Sequence, residues 1–227
     1  MHKLSIALGV ALAVTSSATF ANSIQIMPVH IHADSSVRTG AIQLKNPGDQ
    51  PVIYQATVYQ RSQSGGEDVR TPTNDVLVSP TMIKLGAGEQ KALRFMRVNA
   101  DPSKSAYYWL VLQEVPIPDS TKVPDSSGAT IKTVYLFKQN LPMGFESKSA
   151  KPAHLTASIK DGKLLVSNDG GLAWVMDSIG EPGQKPWKHG ALGWILPGGG
   201  LSYDMPVHAG ESIEVGDDKS KQTLVVQ

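Results

Sequence analysis

The chain has no cysteine. Disulfides and thiolate-based zinc sites are therefore excluded, and stability must come from packed cores. Neither sign of charge dominates, with 21 basic and 20 acidic residues. That balance argues against nucleic acid or a polybasic membrane contact as partner. Catalytic signatures are missing too: there is no GxSxG, no HExxH and no glycine-rich phosphate loop. Gly198-Gly199-Gly200 follows a proline and lacks the lysine and hydroxyl such a loop needs, so it reads as a turn. No window of useful length combines helical periodicity with caps. Nothing points to an enzyme, a cofactor or a metal requirement.

One long apolar run is present, and it lies at the N-terminus. Residues 1–21 begin with Lys3, continue through an apolar stretch from Leu4 to Val14, and end in small residues from Ser16 to Ala21. This is the layout of a secretory signal peptide, with cleavage expected after Ala21. The run is too short for a stable span, and no second one follows, so no membrane span is expected after cleavage. Lys3 is the segment's one Lys, Arg, Asp or Glu, so the mature chain has equal numbers of acidic and basic residues. The expected compartment is the bacterial periplasm. About 200 residues then remain, comfortable for two domains of about 100 each.

The mature chain reads as strands and turns throughout. Val52, Tyr54, Ala56 and Val58 fall on one face of a period-two segment, with Ile53, Thr57 and Tyr59 on the other. Tyr107 to Val115 is the strongest strand signal, and Pro116 closes it. Turns recur at Asn46-Pro47-Gly48-Asp49, Gly65-Gly66-Glu67-Asp68 and Asn168-Asp169-Gly170-Gly171. A polar stretch, residues 146–154, marks a boundary. The predicted architecture is all-β, with two immunoglobulin-like sandwiches in tandem over 22–147 and 152–227.

Three features bear on function. His30 and His32 are two apart and would share a face of a strand; a metal pair and a merely polar face are both open, and the second is favoured. Trp174, Trp187 and Trp194 could stack on sugars or sit in a core or rim. Residues 129–140, predicted as one strand after a polar loop, carry large apolar groups on both faces. Ile131, Thr133, Tyr135 and Phe137 lie on one face; Val134 and Leu136 share the other with Lys132 and Lys138. Such a strand is either central in a sheet or offers one face to a partner.

The order of several motifs resembles the periplasmic chaperones of chaperone–usher pili, and in particular their spore-coat-like, archaic branch. The segment Ile26-Met27-Pro28-Val29-His30-Ile31 is similar to the opening strand of that family. Lys45-Asn46-Pro47-Gly48-Asp49-Gln50-Pro51 is similar to its Asn-x-Gly-x-x-Pro turn. Val78-Ser79-Pro80, the run from Leu85 to Arg94, Glu114-Val115-Pro116 and Asn140-Leu141-Pro142-Met143-Gly144-Phe145 follow in the family's order.

The resemblance implies a non-enzymatic chaperone that binds pilus subunits by lending them a strand and delivers them to an outer-membrane usher. It implies no nucleotide, so the work runs on binding and folding energy. Ile131, Thr133, Tyr135 and Phe137 would form the lent face, with Val134 and Leu136 as the alternative register. The subunit's C-terminal carboxylate would be anchored by His30, standing where the family has arginine, and by Lys138, or Asn140 in a stricter alignment. The family's interdomain arginine has no counterpart near Gly144. The other class of function the sequence admits is an exported carbohydrate- or surface-binding module.

Overall fold

The computed structural model describes residues 24–117, 136–217 and 219–227. In chain order the first ten strands are β1 (Gln25–Met27), β2 (Ile31–Asp34), β3 (Thr39–Lys45), β4 (Val52–Ser64), β5 (Glu67–Pro72), β6 (Val76–Ser79), β7 (Met82–Leu85), β8 (Gln90–Arg97), β9 (Ala106–Val115) and β10 (Lys138–Glu146). They form two facing sheets. One has the order β1-β3-β8-β6; the other runs β2-β10-β9-β4-β5, with β7 also paired to β4. The chain changes sheet between β1 and β2, at Pro28–His30, so His30 lies in a link and not on a strand with His32.

Period-two patterning decides which side chains enter the core. Val52, Tyr54, Ala56 and Val58 of β4 are buried together with Leu110 and Leu112 of β9 and Leu141, Met143 and Phe145 of β10. Along β4 the buried face then changes. Beyond Tyr59 it is Arg61, on the opposite face, that is buried. The strand has outrun its own core there and meets the second sandwich.

That second sandwich consists of β11 (Leu155–Lys160), β12 (Lys163–Asn168), β13 (Trp174–Gly180), β14 (Lys188–Ile195), β15 (Gly199–Tyr203), β16 (Ser212–Gly216) and β17 (Lys221–Val225). Its sheets are ordered β11-β12-β15 and β14-β13-β16-β17. Leu164, Val166, Met176, Ile179, Ile195, Ile213 and Val215 fill the space between them. A buried asparagine organises a turn in each sandwich. Asn46 Nδ2 donates to the Gln50 and Gly86 carbonyls, and its Oδ1 accepts from the Gly48 amide. Asn168 does the same with the Leu172 and Ile195 carbonyls and the Gly170 amide. Asparagine is suited to this because one side chain both donates and accepts.

The strand expected over 129–140 is only partly within the described residues. Leu136 and Phe137 precede the strand, and β10 runs from Lys138 on to Glu146, well past the expected end. Pro142 lies inside it, paired with Trp109 of β9. Pairing with β2 begins only at Met143. Proline is therefore found where the strand has a single neighbour, the position in which its missing N–H does least harm.

Candidate functional site: a cleft beside an open sheet edge

The face of the six-stranded sheet that points away from the core carries the chemistry. In β10, Lys138 and Asn140 are exposed on this face, opposite in parity to buried Leu141 and Met143. Their neighbours in β9 are Gln113 and Val111, followed by Trp109 opposite Pro142. Tyr59 of β4 pairs with Trp109, and Arg61 of β4 pairs with Arg70 of β5 across the Gly65-Gly66 turn.

Two guanidiniums converge on Trp109. Arg61 Cζ lies 4.2 Å from the ring centroid and Arg70 Cζ lies 5.4 Å from it. Arg61 is 4% exposed, so its charge must be compensated. Asp68 does this with a bidentate contact: Nε donates to Oδ1 and Nη2 to Oδ2, both at 2.9 Å. Arg61 Nη1 and Trp109 Nε1 are buried without a hydrogen-bond partner among the described residues. Arg70 is exposed, and its Nη1 donates to Asn140 Oδ1 at 3.2 Å. Two cations share one ring, the Asp68 carboxylate is bidentate to Arg61, and Lys138 is nearby on β10. An arriving anion would relieve their mutual repulsion and accept from the exposed Arg70 and Lys138.

The second sandwich closes the end of this cleft. Trp194 of β14 is 6% exposed, and its carbonyl accepts from Gln63 Nε2 at 2.7 Å and Arg61 Nη2 at 3.4 Å. Gln63 Oε1 accepts from the Leu196 amide at 2.9 Å, and the Gly66 carbonyl accepts from the Ser202 amide at 2.8 Å. Gly66 has φ +84, and a Cβ there would meet the Ser202 hydroxyl, so the hairpin tip requires glycine on both counts. The Trp194 ring lies on the Cα of Gly144, where a Cβ would come within 2.5 Å of Cζ3. A small apolar cluster of Tyr107, Trp194 and Leu196, with Ala173 and Val175 against it, joins the sandwiches.

Glu146, at the end of β10, holds the same junction through hydrogen bonds. Its Oε2 contacts His32 Nε2 at 2.6 Å, while its Oε1 accepts from Tyr107 Oη and from the Ala173 amide, each at 2.7 Å. Burial raises the pKa of this carboxyl, but the hydrogen bonds from His32, Tyr107 and Ala173 outweigh it and hold the group below its ordinary value of 4.5. Tyr107 is pushed well above the usual phenol value, by burial first and then by the Glu146 carboxylate.

The sequence-predicted residues are distributed unevenly over this site. Lys138 and Asn140 share the cleft face. His30 stands on a different segment. It is exposed in the link before β2 and lies edge-on to Trp194, ring centroids 6.2 Å apart. Of the residues predicted for the lent strand, Ile131, Thr133, Tyr135 and Val134 lie outside the described residues. Phe137 is half-buried: its amide donates to Glu114 Oε2 at 3.1 Å and its carbonyl accepts from the Glu114 amide at 2.8 Å. Leu136 is exposed.

His32 meets Glu146 and Trp194, and no group of three metal-ligating side chains occurs among the described residues. Trp174 and Trp194 are buried and Trp187 packs against the second core, so none offers a free ring for a sugar. Sequence reasoning missed Arg61 and Arg70. The available signal was the Gly65-Gly66 turn, because a two-residue hairpin loop sets these two arginines opposite each other.

Comparison with known proteins follows this geometry. No curated protein sequence matches the chain. Among solved structures, the chain is similar to one from the CsuC–CsuE chaperone–tip adhesion subunit pre-assembly complex of the archaic chaperone–usher Csu pili of Acinetobacter baumannii. That likeness has 17% identity and a TM-score of 0.70 over 90% of this chain and 99% of that one. It is also similar to a chain of the Salmonella enterica SafA pilin–SafB chaperone complex, at 20% identity and TM-score 0.64, covering 92% and 98%. A third likeness is the Escherichia coli chaperone DraB, at 13% identity and TM-score 0.59, covering 91% and 98%. At such identities these likenesses establish the shared two-sandwich fold. The family description for the PapD N-terminal domain matches residues 23–143, more than half of the chain, and the chain belongs to the pili and flagellar-assembly chaperones.

Proposed function

We propose that the chain is exported to the periplasm, loses residues 1–21 after Ala21, and there holds pilus subunits for delivery to an outer-membrane usher. Residues 22–147 form the subunit-binding domain and residues 152–227 the second domain of this reading. The observation that carries it is the edge of β10. From Lys138 to Pro142 this strand pairs with β9 on one side and, among the described residues, with no strand on the other. An unpaired edge is a template for an added strand. Phe137 has the parity of Leu141, Met143 and Phe145. A β10 prolonged through Phe137 would therefore present Ile131, Thr133 and Tyr135 on the same side, as a lent apolar face. In the other register Val134 and Leu136 take that role.

The anchor for a subunit's terminal carboxylate is best supplied by Arg70 and Lys138 at the cleft face, with Arg61 beneath them. Asn140 Oδ1 already occupies the Arg70 guanidinium as a carboxylate would. His30, set against Trp194, contributes to the domain junction in this reading. Recognition here needs no bond-making chemistry, and no cofactor enters.

Co-expression with fimbrial subunits of archaic-type pili tests the reading. The expected result is an equimolar chaperone–subunit complex in the periplasm, lost in Tyr135→Asp combined with charge reversal at Lys138. Subunit recovered in equal amount without the chaperone would overturn the reading. Capture by that variant at the wild-type level would remove the strand-lending role.

A further inference from the structure

Trp194 touches two things at once. Its ring faces His32, with centroids 5.3 Å apart and planes inclined by 49°. Its carbonyl accepts from Gln63 and from Arg61, the buried cation of the cleft. We propose that Trp194 is a positioning residue for the cleft arginine, and that a proton taken up by His32 sets how firmly Trp194 is held. This rests on the cleft being the subunit site, and extends that reading to its regulation.

The argument is geometric. His32 Nε2 lies 2.6 Å from Glu146 Oε2. When the ring is protonated this contact becomes an ion pair, and the same charge is attracted to the face of Trp194. Both partners bridge the sandwiches: Trp194 belongs to the second, and Glu146 also accepts from the Ala173 amide of the second. Loss of the proton removes the charge from both contacts together. Loss of the carboxylate at lower pH removes the ion pair as well. The junction is therefore tightest in the interval where His32 is protonated and Glu146 is still ionised.

The other titratable groups around this point have assignments of their own. Asp34, two residues along β2 and paired in register with Glu146, accepts from the Ser36 amide and lies 3.6 Å from Lys148. Tyr107 donates to Glu146 and stays neutral across this range. The ring of His30 lies 6.2 Å from that of Trp194 with planes inclined by 73°, and His30 has no carboxylate contact among the described residues.

Nuclear magnetic resonance of the mature chain, with no subunit present, tests the proposal between pH 4.5 and 8.5. The His32 ring protons, the Trp194 indole N–H, the Ala173 amide and the Arg61 Nε–H are expected to shift together with one midpoint. In Glu146→Gln the His32 midpoint should fall by at least half a pH unit. In His32→Gln the Trp194 and Arg61 signals should lose that titration. Trp194 and Arg61 signals that keep the wild-type midpoint in His32→Gln would overturn the proposal. So would a His32 titration that moves neither of them in the wild-type chain. Glu146→Gln carries the decision should His32→Gln fail to fold. Subunit capture decides the chaperone reading separately, so the two cannot fail as one.

Discussion

Arg61 and Arg97 are both almost wholly buried, at 4% and 3% exposure, and each guanidinium lies over an aromatic ring. Their partners differ. Arg97 spends its Nη1 on the main chain, donating to the Ser35 and Val37 carbonyls at 2.7 and 3.2 Å, above Phe145 in the first core. It ties the β2–β3 connection to β8 within one sandwich. Arg61 is compensated by a carboxylate on the neighbouring strand, and each arginine keeps one nitrogen without a partner among the described residues, Nη1 in Arg61 and Nε in Arg97. Burial alone therefore does not separate a structural cation from one proposed to serve binding. The partner does: carbonyls that would be orphaned inside a core, against a carboxylate at a solvated rim.

Breaking the first arrangement should cost most. Arg97→Met leaves buried carbonyls without donors, and a loss of about 2–4 kcal/mol is expected in urea unfolding of the mature chain. Next comes the seat of Trp194. Gly144→Ala drives a methyl group into its ring, with about 1–3 kcal/mol lost by overpacking and a red-shifted tryptophan emission as the ring moves. Arg61→Met should destabilise less, about 1–2 kcal/mol, because Asp68 keeps 26% of its side chain in contact with water. The same variant should weaken subunit capture about tenfold or more, as expected for a lost charged hydrogen bond. Equal stability losses in Arg97→Met and Arg61→Met would remove the distinction between them.

Arg70→Ala sharpens the contrast further, since this exposed side chain should leave stability within about 0.5 kcal/mol while still lowering capture. The smallest effect concerns acid. The Glu146 carboxyl is held below its ordinary value, so its contribution is present above pH 4.5 and is lost as pH falls through its folded value. Glu146→Gln should lower the melting temperature in the neutral region and flatten the acid limb, so that variant and wild type come closest at the acid end of the profile.

Much of this was legible along the chain. The alternation at 52–58 separated the buried face from the other, because a strand half-buried in a sandwich has one more apolar side, and Tyr107–Val115 was legible as a strand. The turns at Asn46 and Asn168 were readable from their glycine and proline neighbours. The site was less so. Lys138 and Asn140 were reached through the family resemblance, whereas Arg61 reads as one more polar residue after the apolar pattern ends. Its surroundings depend on Trp194, whose carbonyl reaches it from the second sandwich. His30 and His32 looked like a pair on one strand. The sheet change at Pro28–His30 separates them, and only His32 meets Glu146.

By itself the sequence determined the all-β class, the two-sandwich organisation and the chaperone resemblance, since periodicity, turn chemistry and motif order are local properties of the chain. Only the tertiary structure decided where the charge of the cleft lies. Two arginines on adjacent strands, a tryptophan ring from β9 and a carbonyl from the second sandwich converge there, and their sequence positions run from 61 to 194. Long-range convergence of this kind follows from strand order and domain docking, which no local pattern encodes.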